Sequence, residues 1–295
     1  MKLNNLIIWF RQKPRIAFFM CLPLIIMVTC LIIYPFFYSI FLATLNKAET
    51  KFVGLANFFF LFKRETFWLV VQQSIFFALV AVFFKALIGF IAAHSINELP
   101  SKGQRKWRGM LLIPWVIPPA LSTLGWWWLF EPTYSALNWL LEKLSVEAIP
   151  WLSETFWARF SIILVNIWVG APFFLIMYLA ALKSIPEDLY EAASIDGANY
   201  WQKLFFITLP MMKNIISITI LFSIIVTFAN FDIVRVLTRG GPIDTTHLFA
   251  TYAFRVGIES GDIPLGAAVS LFMFPVLAIL SFIILRNVRK RANEV

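Results

Sequence analysis

The chain has 295 residues, 60% of them hydrophobic and 14% charged, against about 25% charged in a soluble domain. That composition excludes a water-soluble enzyme or binding module and defines an integral membrane protein, with the lipid bilayer as its first partner. The net charge of +9 flanks apolar stretches, and no basic, glycine-rich or aromatic RNA-binding pattern accompanies it, so no nucleic-acid partner is expected.

Residues 1–15 carry Lys2, Arg11, Lys13 and Arg15 around Leu3, Leu6, Ile7 and Phe10 at helical spacing. This predicts an interfacial amphipathic helix stopped by Pro14. A first span runs from Ala17 to about Leu42, too long for a signal-peptide core and without a small-residue cleavage site after it. Cys21 and Cys30 lie inside that span, too few for a disulfide framework and at no metal spacing. Five further spans are predicted at 67–93, 110–130, 158–182, 214–234 and 265–285. Each has about 20 residues or slightly more, enough to cross roughly 30 Å of hydrocarbon. The fold class is therefore all-α integral membrane, with six transmembrane helices in a single domain, 1–295.

Lysine and arginine set the orientation. One side collects the N-terminal cluster, Lys102, Arg105, Lys106, Arg108, Lys183, Lys203, Lys213 and the C-terminal Arg286, Arg289, Lys290 and Arg291. The sparser side holds, among others, Arg159, Arg235, Arg239 and Arg255. Both termini are thus expected in the cytoplasm, and so is the segment between spans four and five.

That segment, 184–210, reads SIPEDLYEAASIDGANYWQKLFFITLP. It predicts two short helices with a break between them. Pro186 suits a first turn, the acids Glu187, Asp188 and Glu191 suit the dipole there, and Gly197 suits a helix stop. Leu189, Ala192 and Ala193 share one small apolar face, as expected of a surface that docks into a groove on another protein. After Asn199 the pattern Trp201, Leu204, Phe205 and Thr208 predicts a second helix ended by Leu209-Pro210, with its aromatic face against the chain's own core.

Chemistry of other kinds is missing from the sequence. No G-x-x-x-x-G-K-[ST] occurs, and Gly240-Gly241 is followed by Pro242. His94 and His247 fall on opposite membrane sides, and no Asp/Glu/His relay threads the spans. No catalytic constellation and no metal site is expected, and energy for uphill transport would have to come through a partner.

Glu191-Ala192-Ala193, Asp196-Gly197-Ala198 and Ile207-x-Leu209-Pro210 together resemble the EAA loop of permease subunits in ATP-binding-cassette (ABC) importers. The stretches 111–141 and 231–242 (FDIVRVLTRGGP) resemble carbohydrate permeases of the MalF type, and the similarity covers essentially the whole chain. The chain departs from the maltose permease in having six spans, without extra N-terminal helices or a large external insertion. The resemblance implies a second homologous permease, two copies of a cytoplasmic ATPase that binds ATP and Mg, and an extracytoplasmic solute-binding protein, with no cofactor on this chain. It places the protein in the cytoplasmic (inner) membrane as a subunit importing a carbohydrate by alternating access. The alternatives are a permease for a glycerophosphodiester, a charged oligosaccharide or a polyamine, or a membrane scaffold or sensor. By resemblance the ATPase-coupling residues are Leu189, Glu191, Ala192, Ala193, Asp196, Gly197 and Pro210.

A sugar path needs hydroxyl-binding side chains near the midplane. Ser122, Asn166, Gly170, Thr227 and Asn230 have the depth and match sugar-contacting positions of that family, and Phe173 follows from the same match. The same polar residues could instead bind helix to helix, at about 0.6 kcal/mol per hydrogen bond. Both readings stand on sequence alone. Trp126, Trp127 and Trp128 read as an interfacial belt, Lys85 as a snorkelling lysine, and Asp232 with Arg235 as an i, i+3 ion pair.

Overall fold

The computed structural model describes residues 13–133 and 135–292. The expected amphipathic helix falls mainly in residues 1–12 and lies outside the described residues. The first described helix, α1 (Lys13–Val28), contains Pro14. A one-turn π segment (Thr29–Ile33) joins α1 to α2 (Tyr34–Ala43). The most apolar part of this first span has no residue buried against the rest of the chain.

After α3 (Ala56–Phe62) the chain enters α4 (Glu65–Asn97), its longest continuous α-helix. The predicted third span, 110–130, is broken into α5 (Ser101–Leu111), α6 (Ile113–Val116) and α7 (Pro119–Phe130). The cause is Ile117-Pro118-Pro119. Ile117 and Pro118 each precede a proline and are extended, at ψ 133° and 128°, because proline Cδ clashes with a helical predecessor. Then come α8 (Ala136–Lys143), α9 (Thr155–Lys183) and α10 (Glu187–Ile195).

The predicted fifth span, 214–234, starts earlier and is also interrupted. It comprises α11 (Tyr200–Lys203), a π segment (Leu204–Thr208), α12 (Leu209–Phe228) and α13 (Asp232–Leu237), with a break over 229–231. Pro210 therefore ends nothing. It lies in the first turn of α12, directly after the wider π turn, where a missing N–H is accommodated. The chain closes with α14 (Phe249–Phe254), a π segment (Arg255–Glu259), α15 (Ile263–Leu271) and α16 (Met273–Ala292).

Among the described residues, five helical stretches are long and apolar enough to cross a membrane: Phe18–Ala43, Glu65–Asn97, Thr155–Lys183, Tyr200–Leu237 and Ile263–Arg286. The central pair is α4 against α9. Their close approach needs Gly89, where a Cβ would stand 2.3 Å from Phe174 Cβ. At one end of the bundle Ala93, Phe174, Tyr178, Leu182 and Met212 form a core cluster. At the other end Phe77, Phe130, Ile162, Ile233 and Leu248 form a second. Large apolar side chains remain exposed along every span, as a surface facing lipid or other subunits requires.

Candidate functional site

Helix α10 stands at the α4 and α9 C-terminal end of the bundle. Pro186 is its N-cap, Glu187 and Asp188 fill its first turn, and none of its residues is buried. Leu189 is 40% exposed and Ile195 87%, while Glu191, Ala192 and Asp196 are also exposed and Ala193 is half-buried. Its end is a Schellman stop: Ala198 N–H donates to Ala193 O (2.8 Å) and Gly197 N–H to Ser194 O (3.1 Å). Gly197 takes φ +76°, and a Cβ there would meet open space, so backbone conformation alone selects glycine.

Tyr190 and Ser194 tie α10 to the segment that follows it. Tyr190 packs on the core cluster around Tyr178, and its hydroxyl lies 2.9 Å from Thr208 Oγ1. Thr208 Oγ1 itself donates to Lys203 O (3.3 Å), so Tyr190 is the donor between the two. Lys203 Nζ adds a bond to Ser194 Oγ (2.7 Å). Asn199 and Gln202 form a capping box that starts α11. The aromatic face expected to turn inward does the opposite. Trp201 and Phe205 are 63% and 56% exposed, whereas Leu204 and Thr208 are buried. The expected face divides into two i, i+4 pairs: Trp201 and Phe205 stack on each other outside, with ring centroids 6.2 Å apart, while Leu204 and Thr208 turn inward.

Deeper in the bundle, Asn166, Gly170 and Phe173 follow one another along α9 at i, i+4 and i+7, on one face. Thr227 lies in the last turn of α12, and Asn230 lies in the break after it. Asn166 Oδ1 and Asn230 Oδ1 are buried and have no hydrogen-bond partner. Phe173 joins three elements, with ring centroids 5.1 Å from Phe222 of α12 and 6.0 Å from Trp115 of α6. Ser122 is not drawn into this group. It is half-buried and returns its hydroxyl to Pro119 O at 3.0 Å, a local bond within its own helix.

Lys85 corrects the snorkelling expectation. It is 4% exposed, its Nζ donates to Thr227 Oγ1 (3.0 Å), and its stem fills the space where Gly170 lacks a side chain. Sequence periodicity could not reveal this, because the contact joins residues 142 positions apart. A lysine inside a span was the only available signal.

At the opposite end, the expected Asp232–Arg235 pair is not made. Arg235 binds Glu259 (2.5 Å) and lies over the Phe254 ring, while Asp232 occupies the first turn of α13. The following loop is knit together by Thr246 Oγ1, which donates to Gly241 O (2.6 Å), and by Arg159 Nε, which donates to Thr245 O (3.1 Å). His247 is buried beneath it, 3.1 Å from Thr251 Oγ1, with Asp244 and Arg255 beside it. Burial pushes the His247 pKa down to about 4, with Glu259 opposing and Arg235 reinforcing the shift. The unfolded loop takes up a proton near pH 6.5 and the folded one near 4, so stability falls as pH drops through that window and is unaffected above it. Protection factors over residues 238–254, corrected for the intrinsic exchange rate at each pH, are expected to fall between pH 7 and 4.5, and His247→Gln should flatten that dependence. A wild-type loop with pH-independent protection contradicts this.

Trp126 stacks on Phe130 and meets Trp168 edge to face, whereas Trp128 is 75% exposed, so only part of the triplet can serve an interfacial belt. Among the described residues no group of three or more His, Cys, Asp or Glu is placed to hold a metal.

Five membrane-length helices among the described residues, with large apolar side chains exposed along them, define a multi-pass membrane protein. The family model described as binding-protein-dependent transport system inner membrane component matches residues 85–294, and the chain belongs to that family. It is 33% identical over 277 residues to the trehalose/maltose transport system permease protein MalF of Thermococcus litoralis, covering 92% of each chain. It is 32% identical to the sulfoquinovosyl glycerol transport system permease protein SmoG of Agrobacterium fabrum, covering 96% of this chain and 94% of that one. A bacterial ABC transporter involved in import of the acidic polysaccharide alginate contains a chain of the same fold (TM-score 0.82, 24% identity), with 95% of this chain and 96% of that one covered.

Proposed function

We propose that this chain is the permease subunit of an ABC importer that carries a carbohydrate or sugar derivative inward by alternating access. The observation that carries the reading is end-to-end similarity to a trehalose/maltose permease, 33% identity with 92% of both chains covered. The names of the relatives include neutral and acidic saccharides, which supports the substrate class and leaves its charge open. In this reading a second permease completes the pathway, two ATPase subunits hold ATP and Mg, and a solute-binding protein delivers the sugar. Both termini and α10 face the cytoplasm.

The roles of the chain's residues follow. Leu189, Ala192 and Ala193 present the small apolar side of α10 to a cleft on the ATPase, with Glu191 and Asp196 as its charged contacts. Gly197 sets the turn, and Pro210 starts α12 behind it. Tyr190–Thr208 transmits the movement of α10 to the π segment and hence to α12. Asn166, Gly170, Phe173, Thr227 and Asn230 line the path, and Ser122 borders it.

Reconstituted complex in proteoliposomes, loaded with ATP inside, tests this. Labelled saccharide should accumulate only when the binding protein is present outside. Accumulation of a glycerophosphodiester or a polyamine in its place sinks the substrate class, and no solute movement despite ATPase assembly favours a scaffold.

A further inference from the structure

Lys85 presents a charge whose surroundings in this chain do not balance it. Its ammonium has three N–H donors and Thr227 Oγ1 takes one of them. Among the described residues no carboxylate lies within ion-pair distance of it; the four ion pairs present join other residues. It lies deep within the Glu65–Asn97 span and is 4% exposed. To keep its charge in that position, a lysine must reach the interface, be paired within the protein, or be met by a ligand. Its burial rules out the first, and the described residues provide no acid for the second.

The neighbours of Lys85 point to the third. Asn166 is one turn along α9 from Gly170, against which the Lys85 stem lies, and Asn230 is three residues beyond Thr227. Their unpartnered Oδ1 atoms accept hydrogen bonds and suit sugar hydroxyls, while Lys85 suits a negative group on the same ligand. The mouth of the bundle repeats this chemistry. A groove of about 560 Å³ between α7 and α13 is lined by Trp127, Arg235 and Arg239. Glu259 neutralises Arg235, but Arg239 is exposed and makes no ion pair among the described residues. An aromatic face beside an unpaired guanidinium is what an anionic sugar ring would meet on entry.

We propose that Lys85 is the specificity-determining charge of the path and that the transported saccharide carries an anionic group. This rests on the carbohydrate reading above. The negative group pairs with Lys85 as the sugar passes Asn166 and Asn230, and a neutral sugar of the same size leaves the ammonium unbalanced.

The test uses the complex of the two permeases and the ATPase subunits, purified without the solute-binding protein, and titrates it calorimetrically with two pairs of disaccharides: digalacturonate and dimannuronate, against neutral digalactose and dimannose of the same linkages. Wild type should bind at least one uronate about tenfold or more tightly than its neutral counterpart. Lys85→Met should abolish that difference while leaving neutral-sugar affinity within about twofold. Methionine removes the charge and keeps the length of the side chain, and Lys85→Gln serves the same purpose should the first variant not assemble. Equal affinity of wild type for both members of each pair overturns the proposal and leaves the carbohydrate reading intact. So does an equal loss for acidic and neutral sugars in the variant, which would make Lys85 a clasp between helices or the partner of an acid on another subunit. Binding of none of the four overturns the proposal, while the carbohydrate reading on which it rests is decided by the proteoliposome experiment above.

Discussion

Glu191→Lys is expected to lower ATP-driven uptake by about thirtyfold or more and to release the ATPase from the purified complex, while the chain itself stays folded. Glu191 is exposed and makes no ion pair among the described residues, so reversing its charge disturbs no contact described within the chain. Tyr190, not Glu191, holds α10 to the bundle. In the coupling role the side chain meets a basic residue of the ATPase, and disrupting a desolvated charge pair costs about 2 kcal/mol or more, about thirtyfold. Gly197→Asp should act on the same interface by a different route. Its Cβ would have room, but φ +76° costs a non-glycine residue about 1 kcal/mol, and the Schellman stop that aims α10 weakens. Normal uptake and full ATPase co-purification in both variants would remove the coupling role from this loop.

Asn166→Ala and Asn230→Ala are each expected to reduce sugar uptake by about fivefold, the equivalent of about 1 kcal/mol for one hydrogen bond to substrate. Assembly and thermal stability should change little. The competing role, in which these amides bind helix to helix, needs partners for their oxygens, and both Oδ1 atoms are buried without one. A purely structural role therefore predicts the opposite result, with lowered melting temperature and retained uptake per assembled complex. Measuring uptake and melting temperature on the same preparations separates the two. Thr227→Ala is less informative, because Thr227 also holds Lys85.

Much of this molecule was determined by the sequence alone. Apolar length and flanking charge specify a membrane protein, because hydrocarbon admits only helices or closed barrels, and this chain has helix-length apolar runs. The docking helix was legible to within a residue at each end, since Pro186 and Gly197 act locally through their own backbone preferences. The break in the third span was equally local, written in Ile117-Pro118-Pro119, although a hydropathy window runs straight across it. The tertiary structure decided what depends on distant partners or on register. A π turn at Leu204–Thr208 carries the chain through Pro210, and Leu204 and Thr208 take the buried side while Trp201 and Phe205 stay outside, a choice between two faces that the sequence pattern does not make. Arg235 chose Glu259 over Asp232, a carboxylate nearby in sequence losing to one supplied by a later element. Lys85 found Thr227 and the gap left by Gly170 rather than the interface, because a buried hydrogen bond and a vacancy of the right size exist only once α4, α9 and α12 are packed together.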